Sequence, residues 1–490
     1  MKAQKVGSSC SRDAINNINS LPDEILAQIL SFLPTKRAVS TCILSKRWRN
    51  LFPLMNHLFA SQNDLYFDDS DLLHPENHYL DDSVIMTEYL RLRLGERREL
   101  CLVCHCKGEE IKIMSEKDDV HRGFGDFVDK ALSGRMSIKK LTLKCLSGSI
   151  SVALINKWTR IALDRGLVDL DLRIRTTGSY EEVALLSSNA VFTNNTLVKL
   201  TLGIEVNHLE MSLPKVFLPV LKSLFLHGIL LRCHDLCLNM LPGCPTLEEL
   251  SLEYYPSKLR IDELEMTELS ISHNTLKRLT FHYNSCCALS PVTQFNTPSL
   301  VYLDFSGFAL HYKSVSYFLD SLVEAKLDVD MPRECIHLCR PSMIINWMSN
   351  VKNLSLSSTS VKLIYSSGTE FPYLVNLVKL SLESNTSHGW QVLPSLLNKS
   401  PKLETLVLKG LHCVRNEGVH IDPSQVKMLE MYGFRGNGGE FSQSKCFLRQ
   451  MQSLQVMKVE IDADDNKRLQ LISDLLALPD HSSKCRIQFF

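Results

Sequence analysis

Apolar residues recur along most of this chain in a short phrase, apolar-x-x-apolar-x-apolar, at nearly regular intervals. Thirteen copies begin at residues 138, 167, 197, 221, 247, 276, 300, 322, 351, 377, 403, 426 and 454, with 22 to 30 residues between successive starts. Two of them, LVKLTL at 197–202 and LVKLSL at 377–382, differ at one letter. One copy could arise by chance in a leucine-rich chain, but thirteen in series indicate a repeat architecture.

The spacing inside each copy predicts a short strand. Its last two apolar positions are two residues apart, so both side chains lie on one face of a sheet. The segments between copies have apolar residues at helical spacing, as in Leu393, Leu396 and Leu397, and a proline such as Pro401 precedes the next strand. The pattern therefore predicts an α/β leucine-rich-repeat solenoid, with a curved sheet of parallel strands inside and helices outside.

The polar positions of each copy face away from that core, and they are mixed in charge with a few aromatic residues. This composition suits recognition of a protein segment, and solenoids commonly bind through their concave sheet. A solvated face without a ligand is the alternative for any single residue. The predicted substrate-binding residues on this face are Lys199, Thr201, Phe225, Glu249, Arg278, Tyr302, Asp304, Lys379 and Ser381.

A different pattern occupies residues 19–52, NSLPDEILAQILSFLPTKRAVSTCILSKRWRNLF. Pro22 suits the first position of a helix, and acidic residues follow it in the first turn. Apolar residues then recur at helical spacing up to Pro34, and two shorter helices are predicted after it. Three short helices are few for an independent core, so we expect a partner to cover part of their apolar surface.

This stretch resembles the F-box, in its plant form, across about thirty consecutive positions, including the Leu-Pro start, Leu-Pro-Thr-Lys and the Leu-Ser-Lys-Arg-Trp-Arg close. The resemblance implies docking on a Skp-family adaptor and, through it, on the cullin and RING subunits of a ubiquitin ligase. Packing inside the module is the alternative role for the individual leucines and for Trp48. The residues implied to face the adaptor are Leu21, Pro22, Ile25, Leu26, Ile29, Leu33, Pro34, Val39, Leu44 and Trp48.

The segments 155–172 and 241–253 are similar to plant F-box/leucine-rich-repeat proteins, and the tail is similar to the FBD domain that ends many of them. In that tail we expect a strand, a helix and a closing strand that cap the solenoid. The predicted organisation is a disordered stretch at 1–17, an F-box at 18–60, an acidic linker and entry segment to the solenoid at 61–130, repeats at 131–410 and an FBD-like domain at 411–490.

Charge and composition limit the classes of partner and the compartments that we expect for this protein. The 54 Lys and Arg balance the 54 Asp and Glu, so no global field attracts nucleic acid or a membrane surface, and we expect neither as a partner. No secretory signal or membrane-spanning run is recognisable, which favours the cytoplasm, the nucleus or both. The 16 cysteines are then expected to be mainly buried thiols.

Several short motifs suggest chemistry that their context does not support. Residues 101–105 match a haem-attachment pattern but also alternate as a buried strand, and 233–237 and 335–339 lack paired zinc-ligand spacing. Residues 435–439 lack the Lys-Ser/Thr of a phosphate loop and are expected to form a turn. The sequence predicts neither a cofactor nor a metal site nor a catalytic centre.

The combined prediction is a non-catalytic substrate-recognition subunit of a Skp–cullin–F-box ubiquitin ligase, with an unidentified target protein on the repeat face. The alternative is a leucine-rich-repeat receptor or scaffold for a protein or small-molecule ligand that has no link to ubiquitination. Residues 19–52 discriminate between the two, since a plain scaffold has no need of them.

Overall fold

The computed structural model describes residues 18, 21–31, 47–48, 51, 64–69, 124–126, 128–129, 131–133, 137–148, 150–175, 190–205, 215–228, 236–254, 269–283, 292–308, 315–316, 319–331, 345–368, 370–478 and 485–490. The chain divides into two compact units, Met1–Ile174 and Arg175–Phe490. The predicted disorder of residues 1–17 lies outside the described residues.

The first unit contains a helix, α1 (Asp23–Ser31), and a parallel sheet whose described strands pair in chain order. Its further elements are β1 (Asp64–Asp68), β2 (Lys140–Cys145), α2 (Val152–Leu163) and β3 (Asp169–Arg175). Strand β1 lies inside residues 61–130, the stretch predicted as an acidic linker and entry segment to the solenoid. Leu65 and Phe67 alternate with polar residues, so both side chains lie on one face of the strand and Phe67 is buried in the sheet core. The burial of Phe67 favours a strand here although the surrounding residues are acidic.

Asp69 explains how β1 is fixed in place. Its buried carboxylate accepts hydrogen bonds from the backbone N–H groups of Leu146 and Ser147, each at 3.0 Å, and from the Ser147 hydroxyl at 2.5 Å. These donors follow the end of β2, so the acid joins the ends of two neighbouring strands. A residue that composition assigns to a solvated acidic stretch is therefore part of the folded unit.

Among the residues that the structure describes, the second unit is built on twelve parallel strands in chain order. They are β4 (Lys199–Glu205), β5 (Ser223–His227), β6 (Glu249–Tyr254), β8 (Arg278–Tyr283), β10 (Tyr302–Phe308), β12 (Glu324–Asp330), β13 (Asn353–Leu356), β14 (Lys379–Glu383), β15 (Thr405–Lys409), β16 (Met428–Phe434), β17 (Val456–Ile461) and β18 (Arg486–Phe489). Each of the thirteen predicted motifs forms a strand, so the repeat prediction is confirmed across both units.

Register explains why the motif leucines form one core. Leu200 pairs with Leu224, and Leu224 in turn pairs with Leu250, so the same motif position stacks from strand to strand. All three side chains have no exposed surface. Apolar burial of this kind stabilises each leucine by about 1.5–3 kcal/mol relative to solvent, and the parallel stacking repeats that gain at every strand.

Helices return the chain in part of the second unit, as the spacing predicted. They are α3 (Ser358–Ser367), α4 (Leu393–Asn398), α5 (Gly438–Gln450) and α6 (Asp465–Leu476), with shorter helical turns at Ala190–Phe192, Leu236–Met240, Gly389–Val392 and Leu411–Cys413. The strand, helix and closing strand expected in the tail are β17, α6 and β18.

Three of the described segments that connect successive motif strands are themselves strands, which corrects the expectation of helices in those segments. Strands β7 (Leu269–Ser272), β9 (Val292–Asn296) and β11 (Val315–Ser316) form a second parallel sheet with the order β11-β9-β7. The run LSIS at 269–272 alternates apolar and polar residues with the period of a strand. Phe295 of this sheet is buried edge-on against Phe305 and Trp347, at ring-centroid distances of 6.3 and 5.1 Å.

Residues 435–439 were expected to form a turn, and the structure corrects this for 438 and 439, which are the first two residues of α5. Asn437 caps the start of α5: its side chain accepts from the Glu440 N–H, while the Glu440 carboxylate accepts from the Asn437 N–H at 2.8 Å and the Arg435 N–H at 3.0 Å. This reciprocal arrangement satisfies donors that a helix start leaves unpaired. Gly439 is required because a Cβ there would lie 2.3 Å from the Val414 carbonyl oxygen.

Candidate functional site

The exposed side of α1 is the first candidate interaction surface. Ile25 and Ile29, four residues apart on the helix, are 43% and 36% exposed, and Pro22 is exposed beside them. Exposed isoleucines in adjacent turns form an apolar strip, which we call the α1 strip and define as Pro22, Ile25 and Ile29. A strip of this kind is suited to contact with an apolar partner surface.

The opposite side of α1 forms the core of the N-terminal module. Leu26 and Leu30 have no exposed surface and pack with Trp48 and Leu51, while Leu21 is partly buried against the same cluster. Burial removes Leu26 and Trp48 from the set of residues that can contact a partner in this conformation, so of the two roles open to Trp48 the structure assigns it the core. The predicted contacts Leu33, Pro34, Val39 and Leu44 lie outside the described residues.

Arg47 holds the start of α1 in the orientation that exposes the strip. Its Nε donates to the Asp23 carboxylate at 2.7 Å, and a terminal guanidinium nitrogen donates to the Leu21 carbonyl at 2.5 Å. One guanidinium, from the first arginine of Lys-Arg-Trp-Arg, thus donates to two acceptors in the Leu-Pro-Asp segment that begins the module. Asp23 and Arg47 belong to the first and last segments of the F-box-like sequence, and they are in contact although 24 residues separate them in the chain.

The second candidate surface is the side of the large sheet that faces away from the leucine core, which we call the polar face. Alternate strand residues point to it, as the exposure alternation along β5 and β13 shows. All nine predicted substrate-binding residues occupy this face, on β4, β5, β6, β8, β10 and β14. Registers make neighbours of Thr201 and Phe225 and of Glu249 and Arg278.

A stack of charged and aromatic groups occupies the centre of the polar face. The Arg278 guanidinium lies 3.9 Å from the Tyr302 ring centroid on one flank, and the Lys326 ammonium lies 5.4 Å from it on the other. The Tyr302 hydroxyl donates to Asp304 at 3.2 Å, and Lys326 also pairs with Asp304 at 4.0 Å. Cation–π contacts of this kind are worth about 0.5–2 kcal/mol each, so the ring is held rigidly.

Two histidines and two carboxylates alternate beside this stack, toward the carboxyl ends of the strands. His227 lies 3.0 Å from Glu253, Glu253 lies 3.9 Å from His282, and His282 lies 3.1 Å from Asp304. The hydrogen bond to Asp304 raises the pKa of His282 above its usual value, while burial opposes this change. The same interaction lowers the pKa of Asp304 despite the opposing effect of burial.

Several residues of the polar face were not among the sequence predictions. Lys326 was missed because the motif at 322–327, LVEAKL, is degenerate. His282, Asp328, Glu383 and Lys409 lie one alternation beyond the six-residue motif. Extending the period-two pattern by two residues after each motif would have included them.

The described residues offer no group of three or more His, Cys, Asp or Glu side chains with the geometry of a metal site. Cys145 and Cys244 are buried thiols, and burial raises the pKa of each, to about 12 for Cys244. Cys237 donates to the Ser270 carbonyl at 2.9 Å. The haem-like pattern at 101–105 and the Cys/His group at 335–339 lie outside the described residues. No described helix is both long and apolar enough to cross a membrane.

Comparison with known proteins gives matches to both parts of the chain. Residues 18–58 match the F-box domain, and residues 155–307 match the family described as FBD-associated F-box protein At5g56370, LRR repeats. An Arabidopsis thaliana protein whose name places it among F-box/LRR-repeat proteins is 51% identical over 493 residues, covering 100% of both chains. F-box/LRR-repeat protein At3g60040, also from Arabidopsis thaliana, is 35% identical over 503 residues, covering 100% of this chain and 99% of its own length.

Proposed function

This chain belongs to the F-box/leucine-rich-repeat family of plant proteins, and from that membership we propose that it is the substrate-recognition subunit of a Skp–cullin–F-box ubiquitin ligase. In this proposal the F-box binds a Skp-family adaptor, which connects it to the cullin and RING subunits. The polar face holds a target protein. The chain acts without catalysing a reaction of its own, in the cytoplasm, the nucleus or both.

The observation that carries the proposal is the α1 strip on a module too small to cover it. An apolar strip of two isoleucines and a proline stays exposed although Leu26, Leu30, Trp48 and Leu51 complete a core directly beneath it. Contact with an adaptor would remove this apolar surface from water, and the hydrophobic gain would drive association.

The proposed mechanism is proximity. Holding the target and the ubiquitin-carrying enzyme in one complex raises the effective concentration of the reacting groups, which converts a bimolecular encounter into an intramolecular one. The chain supplies two binding surfaces in this scheme. The α1 strip is in the unit Met1–Ile174, and the strands β4 to β18 of the polar face are in the unit Arg175–Phe490, so the two functions can be altered separately.

The test is co-purification of the full chain with a Skp-family adaptor. We expect the wild type to retain the adaptor and an Ile25→Asp/Ile29→Asp variant to lose it, because two carboxylates would be desolvated in the interface. Leu469→Asp is the matched control, since Leu469 is an exposed leucine on helix α6 of the other unit. A well-folded wild type that fails to bind any Skp-family adaptor would favour a repeat receptor unconnected to ubiquitination.

A further inference from the structure

The polar face contains a notch between β10 and β15, where small side chains replace long ones. Ser355 and Ser357 on β13 and just beyond its end, with Ser381 on β14, form its floor. The notch has a volume of about 140 Å³. Because three serines occupy positions that carry Lys, Asp and Tyr on other strands, the depression follows directly from the sequence at these strands.

The lysines at the two sides of the notch are engaged with other groups. Lys326 lies 5.4 Å from the Tyr302 ring centroid and 4.0 Å from Asp304. Lys409, on the other side, lies 5.7 Å from the ring centroid of Tyr432. Each ammonium is therefore held against an aromatic ring at the side of the notch.

Two carboxylates line the notch without a cation at ion-pair distance, although Lys409 is the neighbour of Glu383 in the strand register. Within the part of the chain that the structure describes, neither Asp328 nor Glu383 forms an ion pair within 4.0 Å. Other carboxylates of the polar face do form such pairs, as Glu249 does with Arg278 at 3.7 Å and Glu430 with Lys458 at 2.9 Å. The notch therefore presents two carboxylates that no described lysine or arginine contacts within 4.0 Å.

Asp328 is fixed in position by neutral donors. Its carboxylate accepts hydrogen bonds from the hydroxyls of Ser306 at 3.2 Å and Ser357 at 2.5 Å, and from the hydroxyl of Thr359. Hydroxyl donors orient a carboxylate without cancelling its charge. The side chain is therefore organised in advance, and a ligand that binds it does not have to order it.

The distance between the two carboxylate strands suits a cationic head group. Strand β13 lies between β12 and β14, and adjacent strands are about 4.8 Å apart, so the backbones that carry Asp328 and Glu383 are roughly 10 Å apart with Ser357 between them. A planar guanidinium or an ammonium above Ser357 would lie within about 5 Å of both strands. The serine hydroxyls leave room for it.

We propose that this notch binds a lysine or arginine side chain of the target protein, placed between Asp328 and Glu383. The proposal rests on the proposed function and names the chemistry of the segment that the polar face recognises. An anionic group fits less well, because it would meet two open carboxylates and would have to draw Lys326 and Lys409 from their aromatic partners.

The test uses the full chain co-purified with its adaptor and a set of random twelve-residue peptide pools, each with one central residue fixed as Arg, Lys, Ala, Glu or phosphoserine. We expect the wild type to retain the Arg and Lys pools about tenfold more than the Ala pool at low salt, and less so at high salt. Asp328→Asn/Glu383→Gln should bring the ratio to within about twofold of one. Asparagine keeps one side-chain oxygen, which can accept the hydroxyl bonds of Ser357 and Thr359 but not that of Ser306 as well.

Glu324→Gln is the matched control, because Glu324 also lies on β12 of the polar face but does not line the notch. It should preserve the preference for cationic pools. Glu383→Gln alone, at an exposed residue, should reduce that preference about threefold and keeps the test decisive if the double variant unfolds. Equal retention of all pools by the wild type, a preference for the Glu or phosphoserine pool, or an unchanged preference in the double variant would each overturn the proposal. Adaptor retention reports separately on the proposed function.

Discussion

Replacing Ile25 and Ile29 together by alanine is expected to weaken adaptor binding while leaving the fold of the N-terminal module intact. Both side chains lie on the α1 strip, where 43% and 36% of their surfaces are exposed. Neither belongs to the buried cluster of Leu26, Leu30, Trp48 and Leu51. The change therefore removes apolar surface that is in contact with water in the free protein and covered in the proposed complex.

The size of the effect follows from the exposed fractions. Full burial of an isoleucine side chain is worth about 1.5–3 kcal/mol, and the two exposed fractions together amount to slightly less than one such side chain. We therefore expect a loss of about 1–2.5 kcal/mol in binding free energy, which corresponds to a dissociation constant roughly 5- to 60-fold higher. Direct titration of the purified chain with a Skp-family adaptor at fixed salt measures this change.

Leu26→Ala is the informative contrast, because Leu26 has no exposed surface whereas Ile25 and Ile29 on the same helix do. It should lower the stability of the module by about 2–5 kcal/mol through the cavity it leaves. Thermal unfolding distinguishes the two variants. The reasoning is refuted if Ile25→Ala/Ile29→Ala binds adaptor within twofold of the wild type, or if it lowers the unfolding midpoint as much as Leu26→Ala does.

Three further outcomes are expected from the hydrogen-bonded groups. Asp69→Ala should destabilise the first unit by about 1–3 kcal/mol in denaturant unfolding, because it leaves two partly buried N–H donors without their buried acceptor, whereas the exposed Asp64→Ala should have little effect. Glu440→Ala should cost about 2–4 kcal/mol and speed proteolysis near α5, since it removes the capping acceptor; unchanged cleavage would contradict the role assigned to the cap. The raised pKa of His282 implies that its pair with Asp304 stabilises the fold fully below the unfolded-state pKa and that this contribution is lost as pH rises through the higher folded-state pKa. The stability lost in His282→Asn should accordingly be larger at acidic than at alkaline pH.

Regular spacing made the strands of the repeat predictable. Each motif carries its own period-two signal, and the leucines of neighbouring motifs have the same burial requirement, so local pattern and tertiary packing agree. The N-terminal helix was predictable for the same reason, with Pro22 and two acids at its start. The return at 269–272 is a strand and not the expected helix, because LSIS alternates apolar and polar residues although the returns of other repeats have helical spacing.

Contacts between distant residues could not be predicted in this way. Asp69 and Asp64 are both acids in one acidic stretch, yet one is buried under two backbone N–H groups and the other is exposed. Likewise, Ile25 and Leu26 are adjacent apolar residues of one helical stripe. The direction of the module core, set by Trp48 and Leu51, buries one and exposes the other.

The sequence by itself determined the repeat, the parallel strands and the F-box family, because each depends on residue types at fixed spacing along the chain. The tertiary structure decided which polar residues share a surface and which charges find partners there. Asp304 is paired with His282 and Lys326, while Asp328 on the next strand of the sheet is held by hydroxyls. The physical reason is that hydrophobic spacing is a local property, whereas ion pairing depends on the register between strands that are 20 or more residues apart in the chain.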